Sequence, residues 1–136
     1  MNPSYSSAPP QRQRFGSAIQ VVLVASPPAL LQRMSQVCGA IEGTVLAGAF
    51  ATAADAMDWI VWKRPVWHVA YIDMTLKGAD EVARSLQGSP HGGTIVGLCA
   101  HLWHEERERC AAMGVKQIVE KGDLIAFQGE LELRAR

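Results

Sequence analysis

Five short apolar runs, rich in β-branched residues, recur along this chain, and a segment with helical spacing follows each one. That alternation constrains the fold more than any other feature. Strands that alternate with helices in this way favour a parallel sheet, covered on both faces and joined by right-handed crossovers. The first run is Ile19-Gln20-Val21-Val22-Leu23-Val24, halted by Ala25-Ser26-Pro27-Pro28. Ser26 is placed to cap the helix that follows, and proline is tolerated in a first turn. Ala29, Leu30, Met34, Val37 and Cys38 then recur at helical spacing until Gly39. A second strand is predicted over 45–50. Thr52 opens a helix with Ala53, Ala56, Met57, Ile60 and Val61 on its apolar side, and Pro65 ends it. A third strand is predicted over 66–72, a helix over 79–86, and a fourth strand over 94–99 after the Gly92-Gly93 turn. A charged helix over 102–113 places Glu105 and Arg109 at pairing distance (i,i+4). Gly114 stops it, a fifth strand covers 115–119, and a last helix starts at Asp123 with Leu124, Phe127 and Leu131 on one face. Gly129 inside that helix costs about 1 kcal/mol relative to alanine.

The chain has 136 residues, 49% apolar and 19% charged, which suits one globular domain over 18–136 rather than disorder. Residues 1–17 are rich in Ser, Pro, Gln and Arg without apolar periodicity and read as a flexible tail carrying Arg12 and Arg14. Lys+Arg and Asp+Glu are 13 each, so the charge balance points to neither nucleic acid nor a membrane surface. No apolar run approaches the roughly 18 residues of a membrane span, and the first residues lack a signal core. Three cysteines (Cys38, Cys99, Cys110) cannot pair completely and form no CxxC, which predicts reduced thiols in a cytoplasmic protein.

The run Trp67-His68-Val69-Ala70-Tyr71-Ile72-Asp73 ends in a carboxylate. In open α/β sheets ligands bind just beyond the carboxyl ends of the strands, so Asp73 is a candidate site residue. The topology brings Ser26, Cys99 and Lys121 to the same edge. A carboxylate facing an ammonium in one crevice can handle an anion. The alternative is a structural Asp–Lys pair.

In order and spacing these positions resemble a CheY-like receiver domain, the response-regulator half of two-component signalling, over residues 18–136. The resemblance implies a doubly wound, flavodoxin-like α/β sheet in strand order 2-1-3-4-5. It implies Asp73 as phosphoacceptor, Lys121 as a contact to the phosphoryl group, and Cys99 at the place of the switch hydroxyl residue. The departures are equally specific. The family's acidic pair after the first strand, which holds Mg²⁺, is replaced by Ala25-Ser26-Pro27-Pro28. Mg²⁺ is held by one or two carboxylates with phosphate oxygens and waters, so its binding is expected to be weak or absent. Cys99 offers only a weak hydrogen-bond donor. Ile118 stands where the family has its aromatic switch, Gly122 where it has a proline after the lysine, and Lys77 where it has the loop proline.

The resulting expectation is an atypical receiver that is not an enzyme, needs no cofactor and works through protein contact. Its partner would be a histidine kinase, a phosphotransfer protein, a downstream regulator or a second copy, docking at Trp103 and Ile118. With no output domain after residue 136, direct DNA binding is not expected. Two alternatives stay open. One is a conventional single-domain response regulator phosphorylated on Asp73. The other is a small flavodoxin-like ligand or metal binder using Cys99, His101, His104 and Cys110, residue types that suit Zn²⁺ in a spacing that matches no common zinc motif. His68 and His91 read as strand-edge and loop residues, and Trp59, Trp62 and Trp67 as packing at the bottom of the sheet, with Trp62 the most exposed.

Overall fold

Alternating apolar residues on five parallel strands give this domain two separate cores, one on each face of a single sheet. The computed structural model describes residues 18–90 and 92–136. The tail read over 1–17, with Arg12 and Arg14, and His91 lie outside the described residues. In chain order the elements are β1 (Ile19–Val24), α1 (Pro28–Ala40), β2 (Thr44–Phe50), α2 (Ala53–Lys63), β3 (Val69–Asp73), α3 (Ala79–Gln87), β4 (Thr94–Cys99), α4 (His104–Ala112), β5 (Gln117–Glu120) and α5 (Leu124–Ala135). The sheet order is β2-β1-β3-β4-β5 with every neighbouring pair parallel, as the resemblance implied.

Successive side chains of a strand point to opposite faces. Val22, Val24, Ala70, Ile72, Ile95 and Cys99 therefore meet α2 and α3, where Ala56, Ile60, Val82 and Leu86 are buried. Val21, Leu23, Val69, Tyr71, Val96 and Leu98 meet α1 and α5 through Met34, Cys38, Phe127 and Leu131. The third strand is buried along its whole length, as a central parallel strand should be.

Some boundaries and faces differ from the sequence expectation. β3 starts at Val69 instead of 66, and the exposed Val66 sits in the preceding loop. β5 covers Gln117–Glu120 instead of 115–119, although Val115 is fully buried beside Cys110 in the α2/α3-side core. Ser26 does not cap α1: Pro27 occupies the N-cap position, without a side-chain hydrogen bond, and Pro28 opens the helix. Thr52 and Asp123 do cap, accepting from Asp55 N at 3.1 Å and Ala126 N at 2.9 Å. Val61 and Ala29, counted on apolar helix faces, are exposed, because the sheet covers a narrower stripe than periodicity alone suggests. α4 is shorter than expected, and Trp103 is its N-cap residue rather than part of its first turn. Arg109 pairs with Glu106 at 2.8 Å, not with Glu105, since the i,i+3 neighbour lies closer here. Trp67 is buried, Trp59 tilts against Phe50 with ring centroids 5.1 Å apart, and Trp62 is 83% exposed.

A polar network pins α5 to the sheet. Tyr71 stands edge-on to Phe127, with centroids 4.8 Å apart, and its hydroxyl donates to Glu130. Arg134 clamps the same carboxylate at 2.9 Å and donates to Gln117 on β5. Burial, then the neighbouring Glu130, hold the Tyr71 hydroxyl well above its ordinary titration range. A group that stays protonated longer in the folded state stabilises the fold below its unfolded pKa of about 10 and loses that contribution as pH climbs above it. Denaturant midpoints measured from pH 9 to 12 should therefore fall more steeply in the natural chain than in Tyr71→Phe. Parallel curves would refute the network's role.

Two glycines should respond in opposite directions to alanine. A Cβ on Gly93 would lie 2.0 Å from the carbonyl oxygen of His68, which accepts the Thr94 amide at 2.9 Å. That close backbone approach leaves no room for a side chain. A Cβ on Gly129 meets nothing within 4 Å. In urea unfolding, Gly93→Ala is expected to lose about 2 kcal/mol or more, whereas Gly129→Ala should gain up to about 1 kcal/mol.

Candidate functional site

Asp73 is the one buried polar or charged residue among the described residues, with no exposed surface. Taking an ionised carboxylate out of water is costly unless donors replace the lost solvent. Here four donors do so. Oδ1 accepts the Thr75 amide at 3.0 Å and the Thr75 hydroxyl at 2.6 Å. Oδ2 accepts the Ser26 amide at 3.3 Å and takes the Lys121 ammonium at 2.8 Å. A carboxylate has about four acceptor positions, so all of them are engaged.

Each donor is delivered by the fold. The β3 strand ends at Asp73 and turns at once, so residue 75 folds back onto its own carboxylate, a turn that Asp side chains favour. Ser26 follows β1, the neighbour of β3 on one side. Lys121 arrives from beyond β5, and its amide donates to the Cys99 carbonyl at 2.7 Å, extending the β4–β5 ladder by one bond. Gly122 then adopts φ +90°, a conformation that favours glycine, and turns the chain toward α5. Lys121 Nζ also donates to the Thr75 hydroxyl at 3.2 Å, which closes a ring of Asp73, Thr75 and Lys121.

The structure thus brings Asp73 and Lys121 together, and Ser26 joins them through its main-chain N–H rather than its hydroxyl. Sequence reading overlooked Thr75 as a donor, although an Asp side chain commonly accepts from the backbone N–H two residues on. Cys99 takes part through its carbonyl. Its side chain points away from Asp73 into the α2/α3-side core, where its sulfur lies 3.5 Å from that of Cys110. Lys77 is exposed in the loop. Ile118 is half-buried against the same core, while Trp103 is 61% exposed and stacks on His101 with centroids 4.1 Å apart.

The Cys/His group read from sequence divides in space. Cys99 and Cys110 meet, His101 stacks on Trp103, and His104 faces Glu108 at 3.3 Å. Among the described residues no three His, Cys, Asp or Glu side chains converge as a metal-ligand set. Nor is any described helix long and apolar enough to cross a membrane.

No family model and no curated protein matches the sequence. Solved structures do match. The receiver domain of the response regulator NarL from Mycobacterium tuberculosis superposes with a TM-score of 0.72 at 15% identity, over 88% of this chain and 98% of that one. CheY6 from R. sphaeroides, solved in complex with the P1 domain of CheA3, gives 0.71 at 17% identity, over 88% and 95%. The BeF3-activated receiver domain of DrrB gives 0.67 at 15% identity, over 86% and 98%. Strand order, helix placement and these superpositions agree: the chain has the CheY-like receiver fold.

Proposed function

We propose that this domain is an atypical receiver of two-component signalling that acts by binding another protein, independently of Mg²⁺-dependent phosphorylation. One observation carries the reading: every acceptor position of Asp73 is already occupied by a donor of the chain itself. A phosphoacceptor must offer a free oxygen lone pair, and a metal ligand must do the same. Ala25, Ser26 and Pro27 supply no carboxylate beside it. The donor set does not fit Mg²⁺, which is held through hard oxygen ligands that usually include one or two available carboxylates. Phosphoryl transfer rests on positioning and charge neutralisation. A cation contribution of about 4 kcal/mol is worth about a thousandfold in rate. Asp73 serves instead as a clasp that fixes three loops in one arrangement.

The contact surface of this reading centres on Trp103, an exposed aromatic of the kind that dominates interface energetics. The fold neighbour CheY6 was solved in complex with the P1 domain of CheA3, which makes a domain of that kind the first partner to try. Trp103→Ala should weaken such a complex at least tenfold in titration calorimetry without shifting the unfolding midpoint.

Acetyl phosphate with excess MgCl2 tests the central claim. Intact-mass analysis is expected to show no stoichiometric phosphoryl adduct over minutes. Rapid, stoichiometric labelling that disappears in Asp73→Asn would establish a conventional response regulator and overturn the proposal. The clasp also predicts unequal effects on stability. Lys121→Met leaves a buried carboxylate short of its counter-charge and should cost about 3 kcal/mol or more. Asp73→Asn should cost less, because the Lys121 side chain is 23% exposed and can turn toward water. Equal losses in denaturant unfolding would argue against the clasp.

A further inference from the structure

We propose that Cys99 and Cys110 form a dithiol site that a two-electron oxidant such as hydrogen peroxide converts to an intramolecular disulfide, fastening α4 to the end of β4. The two sulfurs lie 3.5 Å apart, and neither residue has exposed surface. A disulfide requires about 2.05 Å, so the pair needs roughly a further 1.5 Å of approach.

Two adjacent buried cysteines are also ordinary small core residues. What singles out this pair is its place. Cys110 is the one buried residue of α4. The rest of that helix is polar or small, with His104, Glu105, Glu106, Arg107, Glu108 and Arg109 in succession. A helix held by one buried side chain opens at low cost compared with global unfolding. While α4 is seated, the site is protected: burial, then the neighbouring Cys110, push the Cys99 thiol up to about 12, so the reactive thiolate is scarce. When α4 lifts, Cys110 leaves with it and meets solvent.

The chemistry closes in two steps. The Cys110 thiol reduces peroxide to water and becomes a sulfenic acid. On reseating, the Cys99 sulfur attacks that sulfur and displaces hydroxide, which leaves as water with the Cys99 proton. Two thiols and one peroxide give one disulfide and two waters. The link lies beside the clasp, since the Cys99 carbonyl accepts the Lys121 amide at 2.7 Å. The inference does not depend on the reading of Asp73 and can fail without affecting it.

The test uses the full chain, reduced and then exposed to excess hydrogen peroxide before its free thiols are blocked. Trypsin separates Cys99 (in 85–107) from Cys110 (in 110–116). The expected product joins these two peptides and is reversed by dithiothreitol. Cys38 stays blockable, and amide exchange over 104–112 slows in the oxidised form. In Cys110→Ala no product linking Cys99 should form; if that variant fails to fold, the peptide map of the natural chain decides alone. Survival of all three thiols, sulfinic acid without a link, links only between molecules, or prior loss of Cys38 would each overturn the proposal.

Discussion

A carboxylate with no exposed surface must find inside the protein the hydrogen bonds it gives up in water. Asp73 finds four, from the loops that follow β1, β3 and β5. Because the donors come from three separate loops, satisfying this one group also sets the loops' mutual positions. Three of the five loops at the carboxyl edge of the sheet meet at this group. The Thr75 hydroxyl, which donates to Asp73 and accepts from Lys121, makes the arrangement a closed ring rather than a simple ion pair.

That ring separates the chemistry of this site from what its fold alone would suggest. The same crevice in an open α/β sheet is where ligands bind. Here the buried carboxylate of that crevice, the one among the described residues, is engaged by donors of the chain itself. The remaining polar investment lies elsewhere, in the Tyr71–Glu130–Arg134 network that ties α5 to β3 and β5. α4, between these two fixed regions, has a single buried anchor. The domain thus combines a saturated carboxylate and a networked α5 with a helix, α4, that buries one side chain and begins at an exposed tryptophan.

Much of this was legible in the residues. The runs that became β1 and β4 fall where the sequence placed them, because β-branched apolar stretches bounded by Gly, Pro or Ser have few alternatives. The alternation of strands and helices already placed Asp73 and Lys121 at one edge of the sheet, and the salt bridge at 2.8 Å joins them there. The weaker readings fail for identifiable reasons. Ser26 has the chemistry of a cap, but Pro27 takes that position and leaves the Ser26 amide facing Asp73. The Cys/His group looks like one cluster along the chain, yet the turn from β4 into α4 sends the sulfurs inward and the imidazoles outward. Val61 has the right helical phase for burial and still faces solvent, since α2 buries a narrow stripe of Ala53, Ala56 and Ile60.

Sequence by itself determined the alternation of strands and helices, the two-faced core and the absence of a carboxylate from Ala25-Ser26-Pro27-Pro28. These are properties of local pattern and composition, written one residue at a time. Tertiary structure alone decided that Asp73 is saturated, that Thr75 completes the ring and that Cys99 touches Cys110. Each of these is a contact between side chains or main chain brought together by the sheet, with distances of a few ångströms that no spacing along the chain encodes. Hydrogen bonding and sulfur contact act only at that range, so whether a residue is free or engaged is settled by packing.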